Sequence, residues 1–325
     1  MTKHFIEYLL TAAMAVMTAQ SCVSKIDPIF DESSANRVEA LAERLNETLT
    51  GAPNGWLLEY YPSSGQYYGG FNVFLSFSEG NKVKVGSEVA GKGKTATSTY
   101  SIYQSAGCVL TLDTYNEVMH YFADPETTGG QGAGFGFEGD FEFNVLDLQD
   151  EKITLKGRKT GSTMTMTPMP VSMSWDDYIV ALKEEESAIS KHTRIRYHTA
   201  DNKYDGRING RTLEIFSEVD GEQVTTSYPF IFNLMGVTFY KPLELGDERI
   251  DGLVYNPDMA DGGAFIPVND GAEGYFVPTY PTITDYLMDK NWFFSYKGLS
   301  DYCKKLWDKA AESLKAAGDN ITYCY

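Results

Sequence analysis

Cys22 is the residue whose surroundings point most directly to a defined chemistry. It follows a short apolar segment, residues 5–19, with Lys3 ahead of that segment and Ser21 directly before the cysteine. The segment is shorter than the roughly 20 residues that a membrane-spanning helix needs. This order is typical of a lipoprotein signal, in which the chain is cut before a cysteine that is then acylated. A plain secretory signal followed by a chance cysteine is the alternative.

We therefore expect a signal peptide over 1–21, a tether over 22–29, and a lipid on Cys22 as the attachment to a membrane. The expected location is the outer membrane, on the cell surface or on the periplasmic face. Residues 1–21 hold one base and one acid, so the remaining chain keeps the net charge of −18. Such an acidic chain repels nucleic acid, which is therefore not an expected partner.

The histidines offer little of the spacing that metal sites need. Beyond residue 21 they are His120, His192 and His198, and no HExxH or CxxC motif is present. His120 lies in an apolar run, 118–122, that predicts a strand, where a half-buried structural histidine is the simpler interpretation. His192 and His198 straddle a predicted helix–strand junction. We expect no metal and no cofactor.

Nucleotide, calcium and nucleophile motifs are incomplete. Residues 86–92 match the beginning of a phosphate-binding loop, but Gly93 stands where Ser or Thr is required. The glycine-rich stretch 129–136 opens no helix and predicts a surface loop. Two acidic stretches, 201–206 and 258–262, do not complete an EF-hand and predict acidic turns. No GxSxG elbow is present. The sequence therefore assigns no catalytic residue.

Carboxylates and aromatic rings leave two functional interpretations open. Acidic residues are too numerous for a catalytic pair to be chosen by spacing, so a carboxylate-dependent hydrolase stays an alternative. Exposed aromatic rings stack on sugars or contact peptides, although packing over a β core is the simpler interpretation. The two aromatic clusters are Tyr67, Tyr68 and Phe71 beside a Gly-Gly turn, and Tyr275, Phe276, Tyr280 and Tyr286 in a proline-broken segment.

The cysteines other than Cys22 are Cys108, Cys303 and Cys324. Their odd number implies at least one unpaired thiol if Cys22 is acylated. Cys303, in the first turn of the last predicted helix, and Cys324, beyond its end, form a candidate disulfide in an oxidising envelope.

Short apolar runs separated by turn residues predict the elements that must position these side chains. Helices are predicted over 33–49, 174–190 and 300–317. Strands are predicted from Trp56 and over 71–77, 82–85, 97–103, 108–112, 118–122, 141–148, 152–156 and 162–167. After the second helix they are predicted over 193–199, 212–218, 224–233, 236–240, 252–255 and 264–267, with irregular chain over 275–296.

The predicted fold class is mainly β (α+β). We expect two antiparallel β-meander or curled-sheet/barrel units, each preceded by a helix, plus a C-terminal helix. The predicted domains are 30–170 and 171–325. Segments 100–111 and 228–238 each join an aromatic strand to a threonine-bearing strand through a glycine turn. This likeness indicates an internal duplication, and the chance similarity of two hairpins is the alternative.

Several segments together resemble a family of Bacteroidota envelope lipoproteins, domain of unknown function 4302. The resemblance covers about residues 22–300. Its most specific part begins at Asp113-Thr-Tyr-Asn116 and ends at Pro125. The segments that carry it are Phe30-Asp31 with the Arg37 helix, Ala52-Pro53-Asn54-Gly55-Trp56, Gly69-Gly70-Phe71, Gly107, Leu110 to Asn116, and His120 to Pro125.

The resemblance implies an accessory lipoprotein of outer-membrane nutrient import, beside TonB-dependent importer components, and it carries no catalytic residues. We therefore expect a non-enzymatic, lipid-anchored protein that binds a glycan or peptide or scaffolds an import complex. A hydrolase of the cell envelope and a purely structural envelope protein are the alternatives.

Overall fold

The computed structural model describes residues 34–126, 134, 136–199, 203–219, 221–260, 262–269, 272, 274–280 and 296–316. Cys22, the predicted signal over 1–21 and the tether lie outside these residues. The helices described are α1 (Ser34–Gly51), α2 (Glu117–His120), α3 (Trp175–Ile189) and α4 (Asp301–Ala316). None of them is long and apolar enough to cross a membrane.

Eight strands follow α1 and form barrel 1. Each pairs antiparallel with the next, and β8 returns to pair with β1, so the sheet closes. The strands are β1 (Trp56–Tyr60), β2 (Phe71–Ser78), β3 (Lys82–Ser87), β4 (Thr95–Gln104), β5 (Cys108–Leu112), β6 (Glu142–Gln149), β7 (Lys152–Gly157) and β8 (Thr163–Pro168).

Eight further strands follow α3 and form barrel 2. This sheet has the same up-and-down order, and β16 pairs with β9 to close it. The strands are β9 (Arg194–His198), β10 (Lys203–Asn209), β11 (Thr212–Val219), β12 (Glu222–Asn233), β13 (Gly236–Leu245), β14 (Glu248–Asn256), β15 (Ala264–Pro267) and β16 (Tyr275–Pro278). The predicted mainly β class is confirmed, and both meanders are closed barrels.

Side chains at every second position of the strands point inward and fill both barrels. In β1, Trp56, Leu58 and Tyr60 are buried inside barrel 1, while the residues between them are half-buried. In β9, Ile195 and Tyr197 point into barrel 2 in the same way, and both are fully buried. Eight-stranded barrels have interiors just wide enough for side chains, so each interior is a packed core.

The helix that precedes each barrel packs against its core. Leu45 and Leu49 of α1 are fully buried in barrel 1, and the Trp56 indole N–H donates to the Leu49 carbonyl at 3.0 Å. Tyr178 and Leu182 of α3 join the core of barrel 2. Each helix therefore contributes apolar surface to its barrel.

The strand predicted over 118–122 is wrong, because helix α2 occupies this region. Asn116 caps the helix: its side-chain oxygen accepts the backbone N–H groups of Val118 at 3.1 Å and Met119 at 3.2 Å. Val118 and Met119 are buried, so the apolar residues of this helical turn pack in the core of barrel 1.

Two predictions in barrel 2 are also wrong. The acidic turn predicted at Asp205-Gly206 is the middle of β10, where Asp205 points outward to pair with Arg196. A Cβ at Gly206 would crowd the side chains of Ile215 and Leu213, so this glycine allows close packing. The segment expected to be irregular begins with β16, whose Phe276 is fully buried.

Candidate functional site

A buried ion pair joins the two barrels. Arg211, in the turn between β10 and β11, donates to both carboxylate oxygens of Glu88, at 3.0 and 3.1 Å. The Glu88 side chain is fully buried and that of Arg211 is 10% exposed. The guanidinium also donates to Glu186 at 3.1 Å and to the Gly70 carbonyl at 2.7 Å. One arginine of barrel 2 is thus held by the β1–β2 connection, by α3 and by the β3–β4 connection.

Asn72 extends this network along β2. Its backbone N–H donates to Glu88 at 2.7 Å, and its side-chain amide donates to the Phe232 carbonyl of β12 at 2.9 Å. The Tyr178 hydroxyl donates to the Asn72 side-chain oxygen at 3.3 Å. Burial, reinforced by the Glu88 carboxylate, raises the pKa of Tyr178, so this phenol stays a donor.

The Gly69-Gly70 pair lets the two barrels approach each other. The Gly70 N–H donates to the Phe230 carbonyl at 2.9 Å, which continues the contact made by Asn72. A Cβ at Gly69 would overlap Arg211, and one at Gly70 would overlap the Tyr61 ring and the Ile231 side chain. Gly69 also has a φ of +69°, which favours glycine. At this predicted turn the barrels are therefore too close for any residue with a Cβ.

A groove of about 1110 Å³ lies beside this junction, between the barrels. This volume lies slightly above the roughly 300–1,000 Å³ that is typical of small-ligand clefts. Barrel 1 supplies residues 65–68, Phe71 and Phe137. Barrel 2 supplies residues 209–212, Glu214, residues 226–229, residues 240–242, Glu244 and Arg249.

Tyr67 presents an aromatic face to the groove. Its side chain is 68% exposed, and a Cβ at Gly65 would overlap its ring, so one face of the ring rests on the Gly65 backbone. The Tyr67 N–H donates to the Ser63 hydroxyl at 3.3 Å, and the Gln66 side chain donates to the Ser162 hydroxyl at 3.0 Å. The loop is tied down at both contacts, which leaves the other face of Tyr67 for a ligand.

Barrel 2 adds tyrosines and charges to the opposite wall. Tyr240 packs against Tyr61 with ring centroids 4.7 Å apart, and its hydroxyl accepts the Thr163 N–H at 2.9 Å.

The two carboxylates that line the groove are Glu214 and Glu244. Glu214 accepts from Arg207 at 2.6 and 2.8 Å and from Asn209 at 3.3 Å. Both of its oxygens therefore belong to a structural cluster, whereas the Glu244 residue is exposed.

A family model, Domain of unknown function (DUF4302), matches residues 26–257. The chain belongs to this family. No curated protein matches the chain, and neither does any solved structure. The DUF4302 match confirms the family resemblance, and it includes every residue named above as lining the groove. Helix α4 lies beyond it.

The sequence segments that indicate DUF4302 membership have structural partners here. The Asn54 side chain donates to the carbonyls of Pro170 at 2.7 Å and Met173 at 2.8 Å, and the Trp175 indole donates to the Asn54 carbonyl at 2.9 Å. Asn116 caps α2, and Gly69-Gly70 forms the junction. These segments fix the ends of helices and the contact between the barrels, which is a structural role.

The structure separates the two aromatic clusters predicted from the sequence. Tyr67 and Tyr68 line the groove, whereas Phe71 also belongs to the core of barrel 1. Tyr280 is 72% exposed and lines a different depression, of about 1260 Å³, on barrel 2. Tyr275 is on β16 beside the buried Phe276, and Tyr286 lies outside the described residues.

The histidines have structural surroundings. His120 is half-buried, as expected, but it lies on α2, where its ring stacks on Phe141 with centroids 4.8 Å apart. His192 contacts the Tyr255 hydroxyl at 2.8 Å, and burial together with the Lys191 charge lowers its pKa. His198 ends β9. Among the described residues, no group of three or more His, Cys, Asp or Glu side chains could hold a metal ion.

The remaining motifs open no helix where the structure describes them. Residues 86–92 end β3 and enter a turn, and the Gly93 N–H donates to Asp176 at 2.7 Å. Most of the glycine-rich stretch 129–136 lies outside the described residues, as does Cys324. Cys303 is exposed on α4, and its disulfide with Cys324 stays a prediction.

Glu88 and Arg211 are the important residues that sequence reasoning missed. They are 123 positions apart, and neither belongs to a motif that requires a partner. The one available signal was Glu88 inside the glycine-rich 86–92 segment, between the apolar residues of β3 and Val89.

Proposed function

We propose that this chain is a non-enzymatic, lipid-anchored binding protein that holds a glycan in the groove between its barrels. The observation that carries the proposal is the Tyr67 ring, 68% exposed and supported on one face by Gly65. A sugar presents an apolar C–H face that stacks on such a ring, and a stack between pyranose and aromatic faces has the same dispersive origin as aromatic packing.

The rest of the groove complements a glycan better than an extended apolar ligand. Ser227, Thr226 and Lys241 line the wall opposite Tyr67 and offer hydroxyl and ammonium groups. These groups form hydrogen bonds with sugar hydroxyls. The volume of about 1110 Å³ accommodates a short oligosaccharide. A peptide that uses a tyrosine or proline against Tyr67 is the competing ligand.

A glycan array probed with the full chain tests this proposal, followed by calorimetry on the best oligosaccharide. Tyr67→Ala removes the stacking face, and we expect affinity to fall by about tenfold. Tyr67→Trp retains an aromatic face and should retain binding. Tyr115→Ala is the matched control, because Tyr115 is 71% exposed on barrel 1 and does not line the groove.

Two outcomes would overturn the glycan proposal. In the first, no oligosaccharide is retained while a peptide array gives binders. In the second, Tyr67→Ala and Tyr115→Ala weaken binding equally, which would place the ligand elsewhere. Retention of neither class of ligand would favour a purely structural envelope protein.

A hydrolase that uses groove carboxylates is the alternative activity. Glu244 would have to act with Glu214, because these are the carboxylates that line the groove. Glu214 is already held by Arg207 and Asn209, so we assign it a structural role. Turnover of a bound oligosaccharide that is lost in Glu244→Gln would establish catalysis, whereas unchanged ligand after prolonged incubation supports binding alone.

The proposed anchor and partners need separate measurements. Metabolic labelling with a fatty acid should mark the chain, and Cys22→Ser should remove the label. A membrane-impermeant reagent applied to intact cells distinguishes the cell surface from the periplasmic face.

Crosslinking followed by pull-down tests the proposed association with TonB-dependent importer components. Retention of envelope proteins unrelated to import would contradict it.

A further inference from the structure

Helix α4 (Asp301–Ala316) is mostly exposed, with Lys304, Trp307 and Ala311 half-buried, although it carries large apolar side chains. None of its residues is buried. Tyr302 is 72% exposed, Leu306 is 52% exposed and Leu314 is 40% exposed. Ser300 caps the helix, because its hydroxyl accepts the Cys303 N–H at 3.3 Å. The helix is thus a formed element, and the apolar side chains of Tyr302, Leu306 and Leu314 are exposed on it.

The apolar residues of α4 share one side of the helix. Cys303, Leu306, Trp307, Ala310 and Leu314 recur at intervals of three and four residues, which places them on one face. Asp301, Asp308 and Glu312 recur at intervals of seven and four on the opposite face. This is a complete amphipathic pattern, with no charged residue inside the apolar face.

Three of the four lysines occupy the boundaries between these two faces. Lys304 and Lys315, eleven residues apart, border one side of the apolar face, and Lys309 borders the other. Lys305, seven residues before Glu312, lies on the acidic face. Four lysines against three acids give α4 a small positive charge in a chain whose net charge is −18. Boundary lysines extend along apolar surface and keep their ammonium groups in water.

We propose that α4 lies in the interface of a zwitterionic phospholipid bilayer, with its apolar face among the acyl chains. Phospholipid phosphates lie at the acyl boundary, where Lys304, Lys309 and Lys315 would meet them. The amine groups of the lipids lie farther out, opposite the acidic face of α4. Helices of this composition bind in the plane of the membrane and do not span it. The acidic body of the chain disfavours anionic lipid, which selects a zwitterionic surface.

Quenching of Trp307 by brominated acyl chains tests the proposal. The full chain is mixed with phosphatidylethanolamine–phosphatidylcholine vesicles, and the Trp307 signal is taken as the difference between wild type and Trp307→Phe. We expect strong quenching in wild type. Leu306→Glu/Leu314→Glu should reduce it about tenfold, because two apolar side chains leave the acyl region. The readout is local to α4, so it does not depend on how the rest of the chain reaches the vesicle.

Matched variants separate insertion from unfolding and from charge. Val180→Glu changes an exposed apolar residue on α3 and should leave quenching unchanged. The exchange Lys309→Glu/Glu312→Lys keeps the net charge but moves an acid to the boundary, and it should weaken quenching. Circular dichroism checks that each variant is folded.

Three results would overturn the proposal. The first is an unquenched Trp307 in wild type. The second is equal quenching in wild type and Leu306→Glu/Leu314→Glu. The third is a dimer, seen by light scattering, that dissociates in this double variant without any quenching by lipid, which would assign the apolar face to a second copy of the chain.

Discussion

The two barrels have the same strand order but differ in the connection between their fifth and sixth strands. In barrel 1 this connection is residues 113–141, which include α2 and place Phe122 and Phe137 in the core. In barrel 2 the equivalent connection is the tight turn at Gly246-Asp247. Phe137 also lines the groove. The long connection of barrel 1 therefore both covers its own core and forms part of the candidate site.

The likeness between the barrels includes the segments that indicated a duplication. Residues 100–111 lie in the fourth and fifth strands of barrel 1 and the turn between them. Residues 228–238 lie in the fourth and fifth strands of barrel 2 and their turn. The two similar segments occupy equivalent positions in barrels of the same topology. This supports the duplication hypothesis more strongly than the similarity of two hairpins alone.

The largest predicted effect comes from breaking the junction that both barrels share. Arg211→Met leaves the fully buried Glu88 carboxylate without its bidentate partner. We expect the free energy of unfolding to fall by about 3–5 kcal/mol. Urea denaturation followed by circular dichroism should show one transition in wild type. The variant should show two, because the predicted domains over 30–170 and 171–325 then unfold separately.

A surface ion pair provides the control for the junction variant. Arg44 and Asp150 are 3.5 Å apart with side chains 58% and 89% exposed, so Arg44→Ala should cost less than about 1 kcal/mol. The double variant Glu88→Gln/Arg211→Met removes both charges and should recover part of the loss. Equal costs for Arg211→Met and Arg44→Ala would show that the junction does not couple the barrels.

Alternation and turn chemistry were enough to predict most of the fold. Strands such as β5 and β15 begin and end where the apolar runs predict, because their inward residues are apolar and their bounds are turn residues. β10 was missed because Gly206 stands at an inward position where the pattern requires an apolar side chain, and because Asp205-Gly206 is a typical turn pair. α2 was mistaken for a strand because a short apolar run shows no period, and the decisive signal was its Asn116 cap.

The candidate site was predictable only in part. Tyr67 was selected from the sequence because an aromatic cluster beside Gly69-Gly70 stands out locally. The opposite wall was not, since Tyr240 and Glu244 come from a strand whose position depends on how the barrels dock. That docking rests on Arg211 and Glu88, which are 123 residues apart. Contacts at such separation leave no pattern in a single sequence.

The second prediction compares the caps of the two barrels' helices. Asn116→Ala removes two cap bonds and the side-chain bonds to the Ala96 carbonyl and the Ser98 hydroxyl, at 3.3 and 3.1 Å. We expect a loss of about 2 kcal/mol. Ser174→Ala removes the single backbone cap bond of α3 and the exposed bond from the Ser174 hydroxyl to the Asp177 carboxylate, and should cost about 1 kcal/mol. Thermal denaturation measures both losses.

Hydrogen exchange locates the effect of each cap variant. Faster exchange in Asn116→Ala should be confined to residues 117–126 and to β4, which holds the Ala96 and Ser98 partners of the cap. Faster exchange in barrel 2 as well would mean that α2 supports the junction, and the two barrels would then be less independent than their topology indicates.

The smallest predicted effect is a pH dependence that belongs to barrel 2. Burial, and next the charge of Lys191, lower the pKa of His192, so the folded protein prefers the neutral imidazole. The stabilisation is fully present above the unfolded pKa of about 6.5 and is lost as the pH falls through the lowered folded value.

Differential scanning calorimetry from pH 7.5 to 5 should show a larger fall in Tm for wild type than for His192→Gln, whose amide retains a hydrogen bond to Tyr255. Equal falls would show that protonation of His192 does not weaken barrel 2, and that its contact with the Tyr255 hydroxyl tolerates the charged ring.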